Sequence, residues 1–241
     1  RNASTEIQQA GRILREGGLV AFPTETVYGL GANGLDAAAV GKIFQAKGRP
    51  ADNPLILHIA DREALASLVR EVPTWLEPVL ERFWPGPLTV VLPRAERVPD
   101  IVRAGLDSVA VRRPSSPVAR ELIRSAGVPV AAPSANLSGR PSPTTATAVM
   151  ADMAGRIEMV LDGGAHLGIE GNLLLEAVDR GFVVARARQL ATDISPRTDE
   201  SRHQFVERDA QRLSLLQRLG ILGLAAEVGD ELLQIAGSQH R

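Results

Sequence analysis

The 241-residue chain lacks cysteine altogether, and aromatic residues make up only 3% of it. The absence of thiols excludes disulfides, thiolate metal sites and a cysteine nucleophile, and it fits a reducing compartment. Neither charge dominates, because 27 Lys and Arg residues face 28 Asp and Glu residues, giving a net charge of -1. The protein therefore has no overall field that draws it to nucleic acid, and any polyanion site must be a local basic cluster.

Long apolar runs are also missing from the sequence. No stretch approaches the ~20 apolar residues that a membrane-spanning helix needs, and residues 1–12 lack the basic-then-apolar order of a signal peptide. We therefore expect a protein without membrane contact that works in the cytoplasm. The apolar fraction of 44% is ordinary for a globular protein with a buried core.

Short apolar runs alternate with segments of helical periodicity over most of the chain. This alternation predicts the α/β class, with a sheet covered by helices. Asp36 and Asp61 precede two of the predicted helices as N-caps. Further helices are expected over residues 7–14, 74–83, 117–126 and 144–153. The predicted strands cover residues 19–22, 55–60, 88–92, 108–111, 128–132, 157–161, 173–178 and 182–187.

The C-terminal part of the sequence has a different character. Residues 1–190 are predicted to form one domain, and residues 191–241 a helical C-terminal extension with helices near 202–219 and 222–236. The second of these segments is rich in Leu and poor in basic side chains. A packing helix hairpin is therefore favoured over a DNA-reading helix-turn-helix.

A basic pair, Lys47 and Arg49, brackets Gly48 just after a predicted helix. If this segment is extended, side chains two positions apart point the same way, and the glycine lets a ligand approach the backbone. Such a pair suits phosphate or carboxylate oxygens. The alternative is a solvated basic turn that interacts with the end of a helix.

Hydroxyl and amide side chains follow the predicted strand over residues 128–132. Ser134 and Asn136 lie two apart at its carboxyl end, where open α/β sheets bind ligands. The alternative is a turn whose polar side chains bond their own backbone. Ser108 and Arg112 similarly bracket the apolar residues 109–111, with Arg112 at the carboxyl end of that strand.

A glycine pattern at residues 29, 31 and 34 matches the G-x-G-x-x-G dinucleotide fingerprint. The fingerprint should directly follow its strand, whereas mixed residues separate these glycines from Phe22, and Asp52 precedes the next strand instead of ending it. NAD binding is therefore disfavoured. In the same region Thr24 and Thr26 share one side if the chain is extended.

Other common catalytic signatures do not occur in the sequence. It has no P-loop, no G-x-S-x-G motif and no His or carboxylate spacing typical of a metal cage, so no protein-bound metal is predicted. His58 lies in the predicted strand over 55–60, with a parity opposite to Leu57 and Ile59. On its own, a single strand histidine is most often a partly buried core residue.

Taken together, six blocks of residues strongly resemble the YrdC/Sua5 family of threonylcarbamoyl-AMP synthases. The resemblance covers about residues 5–170 and includes that family's paired Lys-x-Arg and Ser-x-Asn signatures. It implies a twisted mixed α/β sheet flanked by helices, with the site on its concave face. The blocks, in chain order, are PTETVYGLG, KGRP, NPLILHI, WPGPLTVVL, SVAVRRP and PVAAPSANLSGRPSPT.

The resemblance also implies an activity and its site residues. The family makes threonylcarbamoyl-AMP and pyrophosphate from L-threonine, bicarbonate or CO2, and ATP with Mg²⁺. The product passes to a tRNA threonylcarbamoyl transferase for modification of adenosine 37, and a contact with tRNA or double-stranded RNA is an added expectation. Threonine contacts are implied for Thr26, His58, Arg112 and Ala132. Nucleotide contacts are implied for Lys47, Arg49, Asn53, Ser108, Ser134, Asn136 and Ser142, with Lys47 and Arg49 as the catalytic cations.

The sequence departs from the family pattern after Glu170. Gly171 and Asn172 stand where the family has Ser-Thr, and residues 185–189 lack the Arg-Pro-Gly that helps to hold the nucleotide. These changes predict weaker ATP binding than in a complete family member. They also leave one alternative open, a catalytically impaired YrdC-like module with an RNA-binding or regulatory role.

Overall fold

A computed structural model of the protein describes residues 3–164, 172–178 and 182–188. Its α-helices are α1 (Ala3–Arg15), α2 (Ala37–Lys47), α3 (Glu77–Phe83), α4 (Asp100–Arg103), α5 (Pro117–Ala126) and α6 (Ala146–Met153). Short 3-10 helices cover Arg62–Ser67 and Thr74–Leu76. Its strands are β1 (Val20–Pro23), β2 (Tyr28–Asn33), β3 (Ile56–His58), β4 (Leu88–Pro93), β5 (Ser108–Arg112), β6 (Val130–Ala131), β7 (Met159–Val160), β8 (Asn172–Val178) and β9 (Phe182–Arg188).

The strands of this described part form one mixed sheet in the order β7-β1-β2-β6-β3-β5-β4-β8-β9. The pairs β1–β7, β3–β5 and β4–β8 are parallel. The pairs β1–β2, β2–β6, β3–β6 and β4–β5 are antiparallel. The predicted α/β class with a mixed sheet and flanking helices is therefore confirmed.

Helices α1 and α5 pack against each other and against β1, where Leu14, Phe22 and Leu122 are completely buried. Burial of each such side chain contributes about 1.5–3 kcal/mol. Helix α5 begins and ends as its sequence predicts. The Ser116 side chain accepts from the backbone N–H of Ala119, and Gly127 ends the helix at a positive φ.

Most elements fall where the sequence predicts them, and the exceptions have simple causes. Asp61 precedes a 3-10 helix but does not cap it, because its carboxylate binds the Arg124 guanidinium instead. The one-turn helix α4 was not predicted, since four residues are too short for a periodicity to show. The strand β2 was not predicted either, because its two glycines weaken the strand pattern. The strands near 55–60 and 128–132 are present but shorter than expected.

The glycines of the apparent dinucleotide fingerprint allow the strands of the sheet to pack closely. Gly29 and Gly31 lie inside β2, not in a strand-to-helix loop, so they do not form the phosphate-binding turn of that fingerprint. A Cβ on Gly31 would meet Val130 at 2.8 Å and Phe22 at 2.9 Å, and one on Gly34 would meet Leu57 at 2.5 Å. These positions need glycine because neighbouring strands pack closely against them.

Of the described residues, all except Val178, Phe182 and Val183 belong to one compact unit. The predicted helices at 202–219 and 222–236 lie outside the described residues, and the domain boundary at residue 190 stays a prediction. Within the part of the chain that the structure describes, no helix is long and apolar enough to cross a membrane.

Candidate active site

A cavity of about 400 Å³ lies over one face of the sheet. Its floor is built by β3, β5 and β4, which are neighbours in the sheet. His58, Arg112 and Thr89 are register partners across these strands, so they form a polar row on one face. We call these three side chains the polar row.

The next row of the floor is apolar. Ile56, Ala110 and Val91 stand two residues away from the polar row on the same three strands, and all three line the cavity. Beyond them, polar groups return with Ser108 at the start of β5 and Asn53 before β3. The cavity thus has two polar ends separated by an apolar middle.

Two loops form part of the wall. Thr24, Thr26 and Val27 come from the turn between β1 and β2, while Ala132, Pro133 and Ser134 follow β6. The second loop continues the sheet beside β2, since Leu30 N–H donates to Pro133 O at 2.8 Å and Ala135 N–H to Tyr28 O at 2.8 Å. The remaining wall residues are Gly29, Arg49, Pro54, Leu55, Arg103 and Leu106.

Arg112 is held in place by the largely buried carboxylate of Glu25. Its Nη2 donates to Glu25 Oε1 at 2.8 Å and to Thr26 Oγ1 at 3.3 Å. Burial is the largest influence on Glu25 and by itself raises the pKa of that carboxyl. The charge and hydrogen bond of Arg112, with help from backbone donors, outweigh it and leave the pKa below its ordinary value. Glu25 is therefore ionised and fixes the guanidinium on the cavity floor.

The two threonines of the β1–β2 turn extend this network. Thr24 Oγ1 donates to Val27 O at 2.6 Å and lies 3.0 Å from Thr26 Oγ1. Because the Thr24 proton is directed to Val27, the Thr26 hydroxyl donates to Thr24 and accepts from Arg112. A continuous chain of hydrogen bonds thus orders the turn against the arginine.

His58 is only 4% exposed and is neutral. Burial lowers its pKa to about 4, and repulsion from Arg112 acts in the same direction. Its Nδ1 makes no hydrogen bond to the residues that the structure describes. The neutral imidazole stands at the end of the polar row and lines the cavity, where it can contact a polar ligand group.

The Lys47–Arg49 segment is not extended, and that expectation was wrong. Lys47 is the last residue of α2, and Gly48 ends the helix at φ 61°. Side chains on either side of such a reversal do not alternate as in a strand. Arg49 reaches the cavity wall and donates to Asn53 O and Pro54 O, both at 3.3 Å. Lys47 turns inward.

Lys47 is a bridge between α2 and the loop after β6. Its ammonium, 3% exposed, donates to the backbone carbonyls of Ser134 and Asn136, the second at 2.5 Å. The Ser138 N–H in turn donates to Lys47 O at 2.9 Å. Burial, followed by repulsion from Arg49, lowers the pKa of Lys47 to about 8. The lysine is not among the residues that line the cavity.

One known protein family matches this chain over most of its length. The sequence profile of the Sua5/YciO/YrdC family, described as "telomere recombination", matches residues 12–186. The chain belongs to the Sua5/YciO/YrdC family. The match reaches past Glu170, so it includes the region where the sequence departs from the expected pattern.

Named members of the Sua5/YciO/YrdC family are close to this chain in sequence. The threonylcarbamoyl-AMP synthase of Pyrococcus abyssi is 56% identical over 170 residues, which are 70% of this chain and 50% of the relative. That of Bacillus subtilis is 52% identical over 176 residues, 72% of this chain and 51% of the relative. The chain therefore spans about half the length of these curated relatives.

A solved Sua5 structure shares the fold. The crystal structure of P. abyssi Sua5 complexed with L-threonine aligns with a TM-score of 0.71 at 54% identity. The alignment covers 73% of this chain and 52% of the P. abyssi chain. The family resemblance inferred from the six sequence blocks is thus confirmed at the level of family and fold.

The residues that the family resemblance singled out fall into two groups. The cavity wall contains Thr26, Arg49, Asn53, His58, Ser108, Arg112, Ala132 and Ser134. Lys47, Asn136 and Ser142 do not line it. The Asn136 side chain donates to Leu137 O at 2.9 Å and Arg140 O at 2.6 Å, which is the loop-forming alternative considered for this residue. Their predicted nucleotide contacts stay predictions.

The structure adds three residues that sequence reasoning missed. Glu25 anchors Arg112, Thr89 stands beside Arg112 in the polar row, and the buried Arg103 lines the far end of the cavity. The Arg103 guanidinium is oriented by Asp100 and by the backbone carbonyl of Leu106. Glu25 lies inside one of the recognised sequence blocks. Thr89 lies inside another block, but only the strand pairing shows that it stands beside Arg112. Arg103 has no signal in the sequence.

Proposed function

We propose that the chain is an L-threonylcarbamoyladenylate synthase, a nucleotidyltransferase that makes threonylcarbamoyl-AMP and pyrophosphate from L-threonine, bicarbonate or CO2, and ATP. One observation carries the proposal. A single cavity holds an arginine-centred polar row at one end, and Arg49 among hydroxyl and amide groups at the other. This is the arrangement that an amino acid and a nucleotide would need in order to react side by side.

The amino acid belongs at the polar row in this proposal. Arg112, fixed by Glu25, pairs with the threonine carboxylate, and Thr26, His58 and Ala132 surround the rest of the molecule. A guanidinium held in place in the free protein loses little conformational freedom on binding. The proposal gains support from P. abyssi Sua5, a relative whose crystal structure is a complex with L-threonine.

The nucleotide belongs at the other end. Arg49, Asn53, Ser108 and Ser134 offer one cation and several hydrogen-bonding groups to phosphate and ribose oxygens. Lys47 contributes indirectly in this proposal, because its ammonium holds the loop that carries Ser134. These groups stabilise charge that develops on phosphate oxygens during the transfer.

The reaction requires no nucleophile from the protein. The threonine amine adds to CO2 and loses a proton, giving a carbamate. A carbamate oxygen then attacks the α-phosphorus of ATP, the bond to the β-phosphate oxygen breaks, and pyrophosphate leaves. The protein positions the two reactants and supplies electrostatic stabilisation, which is the usual division of work in phosphoryl and nucleotidyl transfer.

Magnesium enters this proposal as part of the MgATP substrate. Among the described residues no three His, Asp or Glu side chains are grouped to hold a metal ion, and the cavity wall contains no carboxylate. A resident magnesium site built by the protein does not fit these residues. Mg²⁺ commonly binds through substrate phosphates and waters with few protein ligands.

The product would be passed to a tRNA threonylcarbamoyl transferase, which places the group on adenosine 37. A direct contact with tRNA or double-stranded RNA, and the cytoplasmic location, stay predictions. No observation on the described residues favours the alternative of a catalytically impaired RNA-binding or regulatory module over the synthase.

Release of pyrophosphate tests the proposal. The protein is incubated with MgATP, bicarbonate and L-threonine, and omission of L-threonine provides the background. We expect threonine-dependent release that Arg49→Ala reduces strongly. Arg124→Ala is the matched control, because that arginine is half-exposed on α5 and does not line the cavity. No threonine-dependent release from the unaltered protein, or equal losses in both variants, would contradict the proposal.

A further inference from the structure

Thr89 is a buried hydroxyl for which the family resemblance provides no role. It lies on β4, is 1% exposed and lines the cavity. Its Oγ1 has no hydrogen-bond partner among the residues that the structure describes. Buried hydroxyl groups are normally paired, and an unpaired one costs folding free energy that an isosteric valine would avoid. Because Thr89 lines the cavity, a ligand bound there can supply the missing partner of this hydroxyl.

The position of Thr89 shows which other side chains a ligand at its hydroxyl would contact. Thr89 is the register partner of Arg112 across the antiparallel β4–β5 pair. Side chains directly opposite each other in such a pair have Cβ atoms roughly 4.5–5.5 Å apart. His58 occupies the corresponding place on the other flank of Arg112. A ligand carboxylate paired with the guanidinium would thus lie between a threonine hydroxyl and a neutral imidazole.

We infer that Thr89 is a further substrate-binding residue, whose hydroxyl donates a hydrogen bond to the carboxylate of the amino acid held by Arg112. This inference rests on the proposed function. A carboxylate has two oxygens and room for several donors, so it can accept from the guanidinium and from Thr89 together. The row beyond is apolar (Val91, Ala110 and Ile56) and offers no competing polar partner on the sheet floor.

A second hydrogen-bond donor at the carboxylate would also fix its orientation. With one oxygen committed to Thr89, the amino acid cannot rotate about its contact with Arg112. Its amine then keeps a constant direction relative to the nucleotide end of the cavity. Thr89 would in this way favour α-amino acids over ligands that carry only an amine and a hydroxyl.

The test compares Thr89→Val, which removes the hydroxyl and keeps the shape, with Thr89→Ser, which keeps the hydroxyl. Calorimetric titrations use L-threonine, L-threoninol, which lacks the carboxylate, and L-valine, which lacks the side-chain hydroxyl. We expect Thr89→Val to weaken binding of L-threonine and of L-valine by about tenfold. Thr89→Ser should bind L-threonine and L-valine about as tightly as the unaltered protein does. L-threoninol should bind weakly to the unaltered protein and no more weakly to either variant.

The outcomes separate this inference from the proposed function. Unaltered protein that fails to bind L-threonine would overturn both. Unaltered protein that binds L-threonine, with Thr89→Val binding equally well, would overturn the role of Thr89 alone. A loss in Thr89→Val that is seen with L-threonine and L-threoninol but not with L-valine would mean that Thr89 contacts the side-chain hydroxyl, and would also overturn it.

Thermal stability and the two KM values distinguish a ligand contact of Thr89 from a purely structural role. Thr89→Val should melt at or above the temperature of the unaltered protein, because a methyl replaces an unpaired hydroxyl of the same shape. In the pyrophosphate assay its KM for L-threonine should rise about tenfold while its KM for ATP stays unchanged. Loss of stability together with equal changes in both KM values would contradict the inference.

Discussion

The Glu25 carboxylate lies 2.8 Å from the Arg112 guanidinium, and the two side chains are only 14% and 3% exposed. The pair lies where β5 ends and the β1–β2 turn crosses it. Removing one partner of a buried ion pair leaves the other charge without compensation, which costs more than the pair contributes. The position of Arg112 in the cavity therefore depends on Glu25.

Glu25→Gln should lower the free energy of unfolding by about 3 kcal/mol, because Arg112 keeps its buried charge without a counter-charge. It should also weaken L-threonine binding. Urea unfolding and calorimetry measure the two effects. Glu121→Gln is the control, since Glu121 pairs with Arg124 on the exposed face of α5 and should change stability by less than about 0.5 kcal/mol. Similar small effects from both variants would show that the buried pair does not hold the arginine.

Two glycines of the α2 segment should respond oppositely to alanine. Gly48 ends α2 at φ 61° with no atom near its missing Cβ, so Gly48→Ala should cost about 1 kcal/mol through backbone strain alone. Gly41 lies inside the same helix, and a Cβ there meets only Ile101 at 3.9 Å. Gly41→Ala should therefore raise the free energy of unfolding by about 0.5–1 kcal/mol. Chemical unfolding measures the stability of both variants. A change of the same sign in both would contradict the predicted opposite effects.

His58 should make stability depend on pH in the acidic range. Its folded-state pKa is about 4, below the ordinary value of 6.5, so the unfolded chain binds more protons between these two values. Stability from His58 is therefore complete above pH 6.5 and is lost as the pH falls toward 4. The variant His58→Gln should have a flatter unfolding profile over this window. Identical profiles for the two proteins would mean that His58 titrates like a free histidine.

Lys47→Met should loosen the loop that carries Ser134, because two backbone carbonyls lose their donor. We expect lower stability and weaker ATP binding. Lys42→Met is a close control, since Lys42 lies on the same helix and also donates to a backbone carbonyl, but to that of Gly17 at 2.6 Å, which is not a cavity residue. ATP binding that is reduced equally in both variants would argue against a specific function of Lys47.

Much of the site could be predicted from sequence because its residues occur in contiguous blocks with strand parity. The alternation of residues 55–60 and 108–112 correctly predicted that His58 is set apart from Leu57 and Ile59 and that Arg112 ends its strand. The role of Lys47 could not be predicted in this way. The sequence does not reveal that α2 includes residue 47, or that the lysine meets carbonyls almost ninety residues away.

The neighbours of Arg112 could not be predicted from the sequence, for a related reason. Thr89 becomes a neighbour of Arg112 only through the β4–β5 register, and Glu25 only through the crossing of the β1–β2 turn. Periodicity predicts which face of a strand a residue occupies but not which strand lies beside it. Of the altered residues after Glu170, which predict weaker ATP binding, Asn172 begins β8 and residues 185–188 lie in β9. No observation tests that prediction, and it stands as made.

The most direct test of the two-ended cavity is a calorimetric titration with L-threonine and with MgATP, separately and together. Arg112→Lys keeps the charge beside Glu25 but loses the two-pronged geometry of arginine. We predict that it weakens L-threonine binding by about tenfold and leaves MgATP binding nearly unchanged, whereas Arg49→Ala does the reverse. If both substitutions left the protein folded and weakened the binding of both ligands alike, the two ends of the cavity would not bind two different substrates.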